Sequence, residues 1–241
     1  MIPRFRILSA LIVLALVTGA AGEALAQTDC CVVPDNGTGT ADLPPTCPGG
    51  YTGDGEIRDG LPPGSTVLLA VRLANFSLTN TGAGGALGGE FQQWSANLIL
   101  NLTGTGVFTG YNRLIILPTS GETHSGPRTL FAPVQSFPMD MYGLQGQIVG
   151  DPDFDLLRIT GGTGFGMPSP GHTTLTQAGG GWAVDSFFDI TYRVDFVGSP
   201  GGTFAGMSGS TTNLIERFDM CHEQPTPAAP SSWGRLKASY R

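Results

Sequence analysis

The pattern of residues 186–197, SFFDITYRVDFV, limits the fold more than any other stretch of this chain. Every second position is apolar or aromatic: Phe188, Ile190, Tyr192, Val194 and Phe196. The positions between them are polar: Asp189, Thr191, Arg193 and Asp195. Successive side chains of a strand point to opposite faces, so the pattern predicts a half-buried β-strand with an aromatic-rich core face.

Other stretches between residues 65 and 221 have a similar character. They are rich in β-favouring residues and bounded by Gly or Pro: STVLLAVRLANFSL, WSANLILNLTG, YNRLIILP, MYGLQGQIVG and FDLLRITGG. Further strands are predicted at residues 172–177, 182–185 and 208–218, and no segment combines helical spacing with capping residues. We therefore expect residues 65–221 to form a single all-β domain, an antiparallel β-sandwich or partly closed barrel with long Gly/Pro-rich loops.

The first 26 residues have the pattern of a signal peptide. Arg4 and Arg6 precede an apolar run, and Ala24-Leu25-Ala26 provides a small-x-small cleavage site. The run is shorter than the roughly 20 residues that a membrane-spanning helix needs. We expect a mature chain that begins near Gln27 and is exported, so that it is secreted, periplasmic or at the cell surface, without membrane insertion after signal removal.

The charge of the chain excludes some partners. The formal net charge is −7, and removal of Arg4, Arg6 and Glu23 with the signal makes it −8. An acidic surface argues against nucleic acid and anionic membranes as partners.

The four cysteines predict a disulfide framework. They are Cys30, Cys31, Cys47 and Cys221. In an exported chain four cysteines favour two disulfides, and a bond between the adjacent Cys30 and Cys31 would need a strained ring. Both remaining pairings place one bond inside the N-terminal region and tie that region to Cys221.

The two ends of the mature chain lack strand patterns. Residues 27–64 are rich in Gly, Pro, Asp and Thr and are predicted to be a loop region tied by disulfides. Residues 222–241 comprise a Pro-rich spacer and the basic, aromatic ending WGRLKASYR. This ending is interpreted either as a disordered terminus or as a peptide that a partner recognises.

Candidate metal ligands lie in DPDFDLL, which spaces Asp151, Asp153 and Asp155 two residues apart. On a strand this spacing places them on one side, which is typical of a solvated face or of a calcium cluster. The helix-loop-helix calcium pattern does not fit, so a non-helical Ca²⁺ site is the alternative interpretation.

Catalytic signals are weak. His124 and His172 fall in Gly/Pro-rich stretches that are predicted to be loops. GMSGS, residues 206–210, resembles a nucleophile turn, but Ser210 replaces its final Gly, so Ser208 and Ser210 are interpreted as turn residues. No catalytic residue is assigned, and a non-enzyme is favoured over an enzyme.

Candidate ligand contacts are Trp94 and Trp182, because an exposed Trp beside two acids suits a carbohydrate-binding or carbohydrate-active module. The candidate acids are Asp185, Asp189 and Asp195. A Trp in a groove beside two acids would favour that function, whereas burial of both Trp would favour a structural role.

Several strings resemble a group of uncharacterised, exported bacterial proteins: HSGPR within ETHSGPR, GDPDFDLLRITGG, DSFFDITYRVDFVG and AGMSGSTT. With their flanks they cover most of residues 59–212. The resemblance implies an exported, β-rich bacterial protein and carries no site residue over to this chain.

Together these features predict an exported structural, adhesive or surface-associated β-module whose partner is a cell-surface or matrix protein or a glycan. The alternatives are a carbohydrate-binding or carbohydrate-active module and a calcium-stabilised extracellular matrix protein.

Overall fold

The computed structural model describes residues 31–220, and the predictions for the signal peptide, Cys30, Cys221 and the C-terminal tail lie outside this range. The strands are β1 (Val32–Pro34), β2 (Tyr51–Ile57), β3 (Val67–Ala83), β4 (Glu90–Gly104), β5 (Asn112–Ser125), β6 (Val134–Val149), β7 (Phe154–Gly161), β8 (Pro170–Ala178), β9 (Gly181–Gly198) and β10 (Ser208–Asp219). Two short 3₁₀ turns, Gly106–Phe108 and Thr163–Phe165, are the helical elements of this range. The predicted all-β class is confirmed.

All ten strands belong to one antiparallel sheet with the order β1-β9-β10-β2-β3-β4-β5-β6-β7. In addition, β8 pairs with β6 and β9, and β7 pairs with β9. The sheet therefore curves back on itself and forms a partial ring, which agrees with the expected sandwich or partly closed barrel. Within residues 31–220, no helix has the length and apolar character that a membrane crossing requires.

Strand β9 is the centre of this sheet and contains the alternating pattern. The five apolar side chains predicted to face the core are each no more than 2% exposed: Phe188, Ile190, Tyr192, Val194 and Phe196. Of the polar positions, Thr191 is also buried, under the segment that contains Ser169, whose hydroxyl accepts the Thr191 N–H. The core face of this strand is thus confirmed.

Strand β2 corrects the prediction that residues 27–64 are only loop. Every second residue of its sequence, YTGDGEI, faces inward, and of these only the first and the last, Tyr51 and Ile57, have large side chains. A side chain at Gly53 would collide with the ring of Phe218, and one at Gly55 with the hydroxyl of Tyr192. Side chains of neighbouring strands fill the inner face of β2, so its own sequence shows no apolar alternation.

Side chains of β10 complete its contact with β2, because the two strands share a backbone register only at Asp219 and Thr52. Asn213 accepts the N–H of Glu56 through Oδ1 at 2.9 Å and donates to its carbonyl at 3.1 Å. The hydroxyl of Thr211 accepts the N–H of Arg58 at 2.9 Å. Two polar side chains of β10 thus replace part of a backbone ladder.

The first and last described residues lie side by side along one edge of β9. Cys31 accepts the N–H of Val184 through its carbonyl, and the N–H of Met220 donates to the carbonyl of Ser186. Cys31 also forms a disulfide with Cys47, with 5.7 Å between the Cα atoms. This bond selects one of the two pairings that the sequence left open.

Strands β5 and β6 pair over only part of their lengths. The paired part joins residues 119–125 of β5 to residues 139–146 of β6. Beyond it, β5 continues beside β4 while residues 144–149 of β6 pair with β7, so the two strands diverge at Pro118 and Gln147. This divergence opens a fork in the outer surface of the sheet.

Candidate functional site

A groove crosses the outer surface of β4, β5 and β6 next to this fork. A first cavity of about 420 Å³ is walled by Gln93, Ser120, Glu122, Tyr142, Gln145 and Phe165, among others. A second cavity of about 520 Å³ shares Ser120 and Gln145 with the first and extends past Gln147 to Arg158. We call these two cavities together the polar groove. Both volumes lie within the range that is usual for ligand sites.

Trp94 lies under the floor of the polar groove. Its ring occupies the space above Gly121, where an added Cβ would collide with two ring atoms. The residue is 1% exposed and packs edge-on against Phe76. Its buried indole N–H has no hydrogen-bond partner among the described residues. Trp94 therefore supports the floor of the groove and does not offer an open stacking face, and its role as a ligand contact stays a prediction.

Glu122 places a carboxylate in the groove. Gln93 donates to Oε2 at 2.9 Å, and His124 lies 2.7 Å from Oε1 through Nε2. The N–H of Ala86 donates to Nδ1 of His124, so Nδ1 is an acceptor and the proton is on Nε2. Burial alone would raise the pKa of Glu122, but the hydrogen bonds from Gln93 and His124 lower it. The groove thus contains a carboxylate that stays ionised beside a neutral imidazole.

Aromatic rings form the opposite side of the groove. Tyr142 lies at a bulge in the β5–β6 pairing and stacks on His124, with ring centroids 4.3 Å apart. Tyr142 is 37% exposed and Phe165 is 46% exposed. A bulge re-aims the side chain that it contains. Two partly exposed rings therefore flank the ionised carboxylate.

A buried carboxyl group supports the turn that contains Phe165. Asp140 accepts the hydroxyl of Thr163, the first residue of this turn, at 2.6 Å. Burial raises the pKa of Asp140, although the hydrogen bond from the Thr163 hydroxyl opposes this. Asp140 also occupies the register position opposite His124. Asp140 thus bonds the turn on one side of the groove and lies opposite His124 on the other side.

Three polar side chains in the polar groove are unused by the fold. Ser120, Gln145 and Gln147 are solvent-accessible, and their side chains make no hydrogen bond to other residues of the range 31–220. Arg158, at the far end, pairs with Asp195. Sequence patterns do not reveal this site, because its residues lie on the successive strands β4, β5 and β6 and only the pairing register places them side by side.

The predicted calcium ligands lie elsewhere, in the turn between β6 and β7. Asp151 and Asp153 both pair with Arg113, which reaches them from the start of β5, while Asp155 is an exposed residue of β7. Within residues 31–220, no three His, Cys, Asp or Glu side chains are grouped closely enough to hold a metal ion. The spacing was expected to place three carboxylates on one side of a strand; two of them instead bind one guanidinium. The calcium site stays a prediction.

Trp182, the second predicted ligand contact, is 2% exposed and packs in the core. Its indole N–H donates to Asp35 at 3.0 Å. That hydrogen bond and those from the N–H groups of Gly37 and Gly39 lower the pKa of Asp35. Trp182 thus fixes the N-terminal segment to the sheet. With Trp94 also buried, the criterion set out from the sequence favours a structural role.

His124, His172, Ser208 and Ser210 occupy strands, which corrects the expectation of loops and turns. His124 lies in β5 and His172 in β8. Ser210 lies in β10 and donates to Asp195. Sequence analysis missed a hydrogen bond of 2.7 Å between Ser136 and Nε2 of His172. This pair lies on adjacent strands of the open sheet surface and lines neither cavity of the polar groove.

The candidate acids of β9 do not face each other across a cleft. Asp189 forms a two-contact ion pair with Arg217, and Asp195 pairs with Arg158 and Arg193. The Arg217 hydrogen bond is the largest cause of the lowered pKa of Asp189. These carboxylates are therefore engaged in ion pairs, across strands with Arg217 and Arg158 and along the same strand with Arg193. Asp185 is exposed on the same strand.

Comparison of the chain with protein-family models, with curated proteins and with solved structures finds no match.

Proposed function

We propose that this protein is an exported, non-catalytic module of structural or adhesive type that binds a cell-surface or matrix partner through the polar groove. One observation carries the proposal. Within residues 31–220, Glu122 is the one carboxylate that lines the polar groove, beside unused amide and hydroxyl groups. Glycoside hydrolysis usually takes two carboxylates that face each other, whereas binding needs only complementary polar and aromatic groups.

The arrangement of His124 also favours binding over catalysis. Its Nδ1 accepts a backbone N–H and its Nε2 donates to Glu122, so both ring nitrogens are engaged. A general base needs a ring nitrogen with a free lone pair within reach of a substrate proton. His124 thus serves to position Glu122.

The test uses two matched glycine variants of the mature chain. Gly143 lines the polar groove and Gly49 lies in an exposed loop; neither has a positive φ, and both leave room for a Cβ. We expect wild-type protein and Gly49→Trp to co-sediment with isolated bacterial cell envelopes and Gly143→Trp to stay in the supernatant. Equal retention of all three proteins would refute the role of the groove, and release of reducing sugar would refute the non-catalytic role.

A further inference from the structure

We propose that the ligand of the polar groove is a neutral saccharide chain. This inference rests on the proposed function and adds the chemistry of the ligand. It is carried by the backbone pairing under the groove, by the kind of side chains that line it, by their charge and by the elongated shape of the two joined cavities.

In the first cavity the ligand must be recognised by side chains, because the backbone beneath that cavity is already paired. Gln93 lies opposite Glu122 in the β4–β5 register, and Ser120 lies opposite Gln145 in the β5–β6 register. An added peptide strand needs unpaired backbone groups at a sheet edge. The first cavity lies on the face of the sheet and offers none.

The unused side chains suit hydroxyl groups. Gln145 and Gln147 each provide two N–H donors and a carbonyl acceptor, and Ser120 provides a hydroxyl that both donates and accepts. Neighbouring hydroxyls of a saccharide also donate and accept, so one amide can serve two of them. Tyr142, which stacks on His124 with one face, and Phe165 are partly exposed and add apolar ring surface that suits the C–H groups of a sugar ring.

The charge of the groove selects a neutral ligand. Glu122 is held ionised in the first cavity, and at the far end Arg158 shares the single carboxylate of Asp195 with Arg193. The groove therefore has a charge of each sign at its two ends and no excess of positive charge. The net charge of the mature chain is −8 once residues 1–26 are removed. A uronate or a nucleic acid would meet the Glu122 carboxylate in the first cavity and the acidic net charge of the chain, which disfavours its approach.

The shape of the groove indicates a chain and not a single sugar. The two cavities, of about 420 and 520 Å³, meet at Ser120 and Gln145. Gln145, at the junction, contacts any ligand that occupies both cavities.

The first experiment is calorimetric titration of the mature protein with four named hexasaccharides: cellohexaose, chitohexaose, maltohexaose and the anionic hexagalacturonate. We expect at least one neutral probe to bind and hexagalacturonate to bind more weakly. Gln145→Ala should weaken binding about three- to tenfold through lost hydrogen bonds. Gln177→Ala, an exposed glutamine of β8 outside the groove, is the matched control and should change nothing.

A second experiment separates failure of this inference from failure of the proposed function. Isolated envelopes are treated either with periodate, which cleaves vicinal diols, or with protease, before sedimentation with the wild-type and Gly143→Trp proteins. Loss of retention after periodate supports the saccharide. Retention that survives periodate, requires the open groove and is lost after protease would overturn the saccharide and keep the binding function. Tighter binding of hexagalacturonate, or no effect of Gln145→Ala on a neutral probe that binds, would also overturn the inference.

Discussion

Gly121 and Gly143 both line the polar groove but differ in the space that is available for a side chain. A Cβ added at Gly121 would collide with the ring of Trp94 and would lie 2.7 Å from the carbonyl oxygen of Gly143. A Cβ added at Gly143 would make only an ordinary contact of 3.6 Å with Phe165. Gly121 is therefore needed for the packing of the groove floor, whereas Gly143 is replaceable by a small residue.

We predict that Gly121→Ala destabilises the protein by about 1–3 kcal/mol, because the new methyl group overpacks the site of the Trp94 ring. Urea unfolding followed by tryptophan fluorescence measures this difference. Gly143→Ala is the control and should lie within about 0.5 kcal/mol of wild type. Equal stability of the two variants would contradict the packing of Trp94 over Gly121.

A second prediction at the residue scale concerns acid stability. Burial alone would raise the pKa of Asp153, but the N–H of Thr203 and the side chains of Arg113 and Tyr111 lower it to about 2. A depressed pKa adds stability that is fully present above the unfolded value, near 3.8, and is lost as the pH falls through 2. We expect Asp153→Asn to be less stable than wild type at pH 6 by roughly 1–2 kcal/mol.

The difference between Asp153→Asn and wild type should shrink steadily between pH 4 and pH 2, as urea unfolding at several pH values will measure. Asp155→Asn, at the exposed position of β7, is the control and should track wild type throughout. A constant difference over this pH interval would show that Asp153 does not stabilise the turn as a carboxylate.

Burial of single residues was predictable from strand parity. The five core positions of β9 follow from alternation alone. Trp94 has the same parity as Leu98 and Leu100, and both are buried, so parity also indicates an inward Trp94. The prediction that Trp94 contacts a ligand was based on its being a tryptophan and did not use this parity. The pairing of Asp151 and Asp153 with Arg113 was not predictable, since the arginine comes from a distant strand.

At the scale of elements, β2 is a strand that the alternation of apolar residues does not predict. Its inner face is formed by glycines that admit the side chains of Phe218 and Tyr192 from two other strands. A strand whose interior is supplied by its neighbours has no apolar period of its own. In the sequence, this strand shows only small inward-facing residues, and such a pattern is equally typical of a loop.

The contact between β2 and β10 yields a prediction for Asn213. Its side chain bonds both the N–H and the carbonyl of Glu56, so Asn213→Ala leaves two backbone groups unpaired. We expect a loss of about 1–3 kcal/mol and faster amide hydrogen exchange at Glu56. Thr212→Ala, the exposed neighbour, is the control. Unchanged exchange at Glu56 would argue against this side-chain ladder.

At the scale of the whole molecule, the polar groove depends on the register and the extent of pairing between strands. Alternation predicts that strands exist and which face is buried, but it does not fix how far the successive strands β4, β5, β6 and β7 pair with one another. The divergence of β5 and β6 at Pro118 and Gln147 depends on that extent of pairing. The all-β class was therefore predictable, and the groove was not.

The positions of Cys31 and Met220 predict the second disulfide. Cys31–Cys47 is formed, and Cys31 and Met220 bond to Val184 and Ser186, two residues apart on the same edge of β9. Two residues of a strand span about 7 Å, so the two ends of the described range, Cys31 and Met220, lie close enough for a disulfide between their chain neighbours to be the expected second bond. We expect Cys30–Cys221.

This prediction is checked on full-length protein expressed in a Gram-negative host and recovered from its periplasm. Mass spectrometry of the intact protein should give a chain that begins at Gln27. Peptide mapping without reduction should find Cys30 linked to Cys221 and Cys31 linked to Cys47. A peptide that links Cys31 to Cys221 would contradict the assignment.

The closeness of Cys31 and Met220 also determines how this domain tolerates rearrangement. A chain that enters and leaves a folded unit at one point can be inserted into a surface loop of a carrier protein without separating the two sides of that loop. Equally, a short linker from residue 220 to residue 31 would allow new termini in the turn between β3 and β4, around Gly88, on an exposed part of the molecule. Because the chain enters and leaves at the same edge of β9, this domain is suited both to insertion into a carrier protein and to circular permutation.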